Sequence, residues 1–156
     1  MFRRAFFAFP DSPEELKNPI LTAVKLVEGN SSISIKAWPR MAVFGASIPD
    51  EIRSEVDKAD VLICDITRTN LNVYYEIGYS VGSGKSIAPV LNASFANAAS
   101  DIQKDGLFDV IGYQAYENSQ NLSQIITELP TAKLVDLYGK PLNNQQPIRS
   151  EEHTSE

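Results

Sequence analysis

Short apolar blocks alternate with segments of helical periodicity along the chain. "RRAFFAF" (Arg3 to Phe9) has the length of a buried strand, and Pro10 ends it. "SPEELKNPILTAVKLVEG" reads as a helix. Ser12 is the expected N-cap, with Pro13 at the first helical position and Glu15 three residues after the cap. Leu16, Ile20, Ala23, Val24 and Val27 recur at helical spacing, and Gly29 is the expected stop. Pro19 predicts either a kink or a later start. "SISIKAW" is a second strand with partial alternation, and "PRMAVFGAS" a loop. "SIPDEIRSEVDKA" is a second helix starting at Ser47 or Pro49, with Ile48, Ile52 and Val56 on one face.

"ADVLICDI" is a nearly unbroken apolar run, as expected of a central parallel strand covered on both faces. Its core, Val61 to Cys64, would place Asp65 at the carboxyl end. "TNLNVYYEIGYSVGSGK" (Thr69 to Lys85) is a third helix, with Asn72 as the expected N-cap. "SIAPVLN" is a fourth strand, and "ASFANAASDIQKDGLF" a polar loop with a turn of helix. "DVIGYQAY" holds a fifth strand and "SQNLSQIITEL" a closing helix. From Pro130 the pattern fades into turn and linker composition.

Strands alternating with helices predict βαβ units. The expected fold class is α/β: a doubly wound, flavodoxin-like parallel sheet of about five strands in the order 2-1-3-4-5, with helices on both faces. Ligands of such sheets bind beyond the carboxyl ends of the strands.

The residues expected at that edge are Phe9, Pro10, Asp11 and Ser12 after the first strand, and Trp38 and Arg40 after the second. Asp65, Thr67, Asn70 and Asn72 follow the third, and Asn92 and Ser94 the fourth. An aromatic, an arginine, acids and amides suit a ribosyl or nucleotide ligand, with Trp38 or Phe9 stacking and Asp65 meeting a hydroxyl. Structural roles stand beside these: Asp65 as a loop cap, Trp38 as a core anchor, Arg40 as a surface charge. Cys64 reads as a small core residue.

Glu76 is the only charge of the third helix before its closing lysine. On a helical wheel Asn72, Ser80 and Ser83 flank it, while Ile77, Val81, Gly78 and Tyr74 lie opposite. One acid among amides and hydroxyls suits the wall of a cleft better than an open surface. The expectation is that Glu76 faces the same cleft as Asp65. "GSGKS" (Gly82 to Ser86) is not a phosphate loop: Tyr79 stands where the motif needs glycine, and a helix precedes it where a strand is required. Gly82 and Gly84 read as the helix stop, and Lys85 as a cation at the helix end.

Composition narrows the chemistry. The chain has 156 residues, one cysteine and one histidine, and a formal net charge of −6. The length suits one domain. A lone cysteine fits a reducing compartment, hence a cytoplasmic expectation. No apolar run is long enough for a bilayer, and no basic stripe offers itself to nucleic acid.

The last eight residues, "RSEEHTSE", resemble an in-frame translation of a common sequencing adapter. Residues 1–148 are therefore read as a single domain, weakly structured over 131–148, and 149–156 as an artefact of assembly. Without the tail the net charge is −4, because Arg149 stands against Glu151, Glu152 and Glu156. His153 then leaves the chemistry, and with it histidine-based triads and zinc sites. No metal and no cofactor are expected. A C-terminal domain beyond Ile148 and homo-oligomer formation are both left open.

"ADVLICDITRTNLNVYYEIGYSVGSGKSIAPVL" (Ala59 to Leu91) resembles the core of the nucleoside 2-deoxyribosyltransferase-like superfamily. It is especially similar to the TIR-like and deoxyribosyltransferase-like domains of bacterial antiphage effectors. The resemblance is sharpest over Asp65, Asn72, Glu76 and Gly78, and extends loosely to "FFAFP" and Trp38. It implies that Glu76 is the catalytic nucleophile and that Asp65 helps bind the nucleoside. The transferases carry a glycine and a small hydroxyl residue before the acid, whereas this chain has "NVYYE". That shifts the implication from transfer towards hydrolysis.

Cleavage of an N-glycosidic bond needs no histidine. A carboxylate beneath C1′ stabilises the oxocarbenium-like state or forms a covalent intermediate. Nicotinamide departs from its cationic ring form as a neutral molecule, so NAD⁺ or a related nucleotide is the expected substrate, as substrate and not as cofactor. Asn72 would orient Glu76, and Phe9, Pro10, Trp38, Arg40, Asn70 and Asn92 would line the ligand. Three alternatives remain: a 2-deoxyribosyltransferase proper, a non-catalytic nucleotide-sensing module of a larger protein, and a structural flavodoxin-like domain that neither binds nor turns over a nucleotide.

Overall fold

The computed structural model describes residues 3–40, 50–68, 70–95 and 112–129. Strands β1 (Arg4–Pro10), β2 (Ser34–Arg40), β3 (Val61–Asp65), β4 (Ser86–Asn92) and β5 (Gln114–Tyr116) form one sheet. Helices α1 (Glu14–Asn30), α2 (Asp50–Lys58) and α3 (Leu71–Gly82) connect the first four strands in turn, and α4 (Ser119–Glu128) follows β5. The order is β2-β1-β3-β4-β5 and every pairing is parallel, so the expected doubly wound α/β fold is present.

Strand alternation divides the core in two. Ala5, Phe7 and Phe9 of β1, Val61 and Ile63 of β3, and Ala88 and Val90 of β4 pack with α1, Tyr116 and α4. Phe6, Ala8, Leu62, Cys64 and Leu91 point the other way, to Ile52 and Val56 of α2 and Val73 and Ile77 of α3. Both faces are covered, which is why β1 and β3 are apolar at nearly every position. β1 therefore leads to a helix on one face, and its neighbour β3 to a helix on the other. Their carboxyl ends form the switch point at which such sheets open a crevice.

Several local expectations change. The N-cap of α1 is Pro13, and no side chain caps this end. The Pro13 carbonyl instead accepts from Leu16 N and Lys17 N at 3.0 and 3.1 Å. The helix runs through Pro19 and ends one residue past Gly29. β5 is three residues long, at the end of the apolar segment expected to hold it. Gly84 has φ +73, a conformation that favours glycine, and follows the end of α3. Lys85 lies at the C-terminal end of α3, where its N–H donates to Ser80 O at 2.8 Å, and its ammonium reaches on to α2. Its Nζ donates to the carbonyls of Asp57 (2.9 Å) and Ala59 (2.6 Å), closing the end of α2. Tyr79 Oη donates to Asp57 Oδ1 at 2.9 Å beside it. Ser47, Ile48 and Pro49, the polar loop after Phe95, and the chain from Pro130 onward lie outside the described residues.

Candidate active site at the carboxyl edge of the sheet

The β3–α3 connection is built from side chain to backbone bonds. Asn70, not Asn72, is the N-cap: its Oδ1 accepts from Asn72 N (3.0 Å) and Val73 N (3.1 Å). This supplies two of the donors that a helix start leaves without intrahelical partners. Asn72 is then in the first turn, and Glu76 follows one turn later on the same buried stripe as Asn72, Val73, Ile77 and Ser80.

Glu76 is fully buried, at 0% exposure, so the reading of this face as a solvated one is excluded. Val73 and Ile77, its neighbours on the stripe, pack on Phe6, Ala8, Leu62 and Cys64. The Cys64 thiol is pushed well up by burial first, and then by the charges of Asp65 and Glu76. Glu76 therefore stands against the carboxyl half of β3. Burying a carboxylate there is costly, and such positions are commonly functional.

Asp65 is also fully buried, but it does not share that face. It has the parity of Val61 and Ile63 in β3, and Tyr116 Oη, from the α1/α4 side of the core, donates to its Oδ2 at 2.5 Å. Thr67 N donates to Oδ1 at 3.0 Å. Asp65 and Glu76 thus reach the end of β3 from opposite faces of the sheet, and the expectation of one shared wall is corrected. Burial lifts the Asp65 carboxyl from 3.8 to about 6, against the pull of Tyr116 and Thr67. The Tyr116 phenol is itself pushed up by burial and by the charge of Asp65, and stays protonated at neutral pH.

The other expected residues divide by position. Asn92 is buried at the end of β4: its backbone N–H donates to Thr67 Oγ1 at 2.8 Å and its Oδ1 accepts from Ser94 N at 2.9 Å. Pro10 is buried at the end of β1, in register with Arg40 at the end of β2, whose side chain lies outside the description. Phe9 is a core ring at 0% exposure, edge-on to Phe7 with centroids 5.5 Å apart, and has no free face for a base.

Trp38 is half-buried on the Glu76 face, with Lys36 Nζ 5.6 Å from its ring centroid. Ala8 pairs with both Trp38 and Cys64, so these three form one rung across β2, β1 and β3. Two strand spacings put Trp38 about 10 Å from Cys64. Along that rung the floor between the indole and the strand beneath Glu76 is the small side chain of Ala8.

Sequence reasoning missed Tyr116 as a partner of Asp65. The two are 51 residues apart, and no local pattern links a tyrosine on β5 to an acid on β3.

No family model and no curated protein matches the chain. Solved structures do. A conserved protein from Enterococcus faecalis V583 superposes with a TM-score of 0.52 at 13% identity, covering 82% of this chain and 99% of that one. The fold is shared. The CMP N-glycosidase BcmB of Clostridium botulinum superposes with a TM-score of 0.50 at 16% identity, covering 80% of this chain and 98% of its own. Among the described residues, no helix is long and apolar enough to cross a membrane.

Proposed function

We propose that the protein is a nucleotide N-glycosidase and that Glu76 is its acting carboxylate. The observation that carries this reading is the buried Glu76 on the sheet-facing stripe of α3, at the carboxyl edge where doubly wound sheets bind ligands. The shared fold with a CMP N-glycosidase supports it. NAD⁺ is the proposed substrate, and CMP is the comparison that this likeness motivates.

The chemistry asks little of the rest of the site. The C1′–N bond breaks with its electron pair moving to the nicotinamide ring, which departs neutral. Positive charge appears on the ribosyl carbon and ring oxygen. Glu76 stabilises it, or closes on C1′ as a glycosyl ester that water opens, releasing ADP-ribose with a new hydroxyl at C1′ and a proton. Trp38 supplies the stacking face, across the floor of Ala8 and Cys64. Asn72, one turn before Glu76, orients the carboxylate. Pro10 and Arg40 flank the crevice, and Asn70 and Asn92 hold its loops. Asp65 stands behind the site and holds the loop that leads into α3.

The test is base release. Purified protein is given NAD⁺ and CMP, and nicotinamide and cytosine are followed by chromatography. Release of either base, lost in Glu76→Gln, supports the reading. Binding without release would favour a nucleotide-sensing module, and base exchange with an added acceptor a transferase.

A further inference from the structure

We propose that Tyr116 is a positioning residue for Glu76, acting through Asp65 on the β3–α3 loop. The proposal rests on the reading of Glu76 given above.

Each link is a short contact. Tyr116 Oη donates to Asp65 Oδ2 at 2.5 Å, and the other carboxylate oxygen accepts from Thr67 N at 3.0 Å. Thr67 Oγ1 accepts from Asn92 N at 2.8 Å, and Ile66 N donates to Val90 O at 2.9 Å. The first residues after β3 are therefore held to β4 and β5 at once. Three residues beyond Thr67 the chain reaches Asn70, whose side chain caps α3 and whose carbonyl accepts from Tyr74 N at 2.9 Å. Glu76 is one and a half turns into that helix. The start and tilt of α3 set where its carboxylate stands, and the loop held by Asp65 sets the start of α3.

The chemistry of the pair favours this role over simple filling of the core. A phenylalanine at 116 would occupy the same buried volume, so what the hydroxyl adds is its polar contacts: the bond to Asp65 and its interactions with the Thr67 and Asn92 side chains on the same loop edge. A buried acid as the last residue of an otherwise apolar strand costs stability that an apolar residue would not. Asp65 is fully buried and has a protein donor on each oxygen, so both carboxylate oxygens are engaged in holding the loop. Tyr116 itself is anchored: its carbonyl accepts from Ala93 N at 2.7 Å, and its ring lies in the α1/α4 core.

The test is Tyr116→Phe, which keeps the ring and removes the hydroxyl. Losing one charge-assisted bond should speed amide exchange at Thr67, Asn72 and Val73 by about tenfold while α1 is unchanged. The kcat for base release should fall by about tenfold with KM within about threefold, because geometry at the reacting carbon is lost while stacking remains. Asp65→Ala loses both bonds and should move the same amides the same way, which serves if the first variant folds poorly. Unchanged exchange at those three amides overturns the proposal. So does faster exchange with unchanged kcat, which would leave Tyr116 a tie within the core. If the wild type releases no base from NAD⁺ or CMP, the functional reading fails, and the exchange comparison still decides whether Tyr116 holds the loop.

Discussion

Asp65 should make the protein less stable as the pH rises from 4 to 7, against the usual trend for a carboxylate. Burial raises its folded-state pKa from 3.8 to about 6. Between those values the folded protein holds a proton that the unfolded chain has lost. Stability from this group is fully present below the unfolded pKa and disappears as the pH passes about 6. A shift of roughly two units corresponds to about 3 kcal/mol. For a domain of this size that is a melting-temperature change of roughly 6–12 °C. Other carboxylates run the opposite way. Asp60 loses some ground to burial, but the amides of Arg3 and Arg4 hold its pKa below the usual value, so its contribution is lost on acidification. The assay is therefore a difference: melting curves of wild type and Asp65→Asn from pH 4 to pH 8. The variant should gain on the wild type by about 3 kcal/mol across the range, with the change centred near pH 5 and flat above 7. A difference that is constant with pH, or that slopes the other way, would refute a buried Asp65 ionising late.

Three further substitutions separate site residues from structural ones. Asn70→Ala removes the cap of α3 and should cost about 1 kcal/mol in a urea titration. Phe9→Ala should cost about 3–5 kcal/mol, as loss of a buried ring does, where a stacking residue would raise KM and barely move the melting temperature. Trp38→Ala should do the reverse, raising KM for base release by about tenfold or more while kcat stays within a few-fold.

The order of the sheet was legible because each strand and helix carries its own period, and right-handed crossovers leave few ways to connect them. The two faces were not. Phe6, Phe7, Ala8 and Phe9 are apolar without a break, so nothing in "RRAFFAF" shows that Phe9 turns into the α1 core while Ala8 turns towards Glu76. The same continuity in "VLICD" hid the side taken by Asp65. The helix start was ambiguous for a different reason: "TNLN" offers two asparagines of equal capping chemistry, and only the backbone bonds select Asn70. Glu76 stood out because a single acid interrupts an uncharged stripe. Its burial at the sheet edge fits that signal, whereas the bond between Tyr116 and Asp65 had no sequence signal at all.

The most direct measurement is base release from NAD⁺ by the wild type and by Glu76→Gln, with a melting curve for each. The substitution keeps the size of the side chain and removes the charge that would face a cationic sugar. Turnover should fall by about a hundredfold or more, the scale of losing one preorganised electrostatic group, while intact NAD⁺ still binds. The melting curves check that the variant folds, so that lost turnover is read as lost chemistry and not as lost structure. An active wild type whose Glu76→Gln variant keeps near-normal turnover would contradict the assignment of Glu76 as the acting carboxylate.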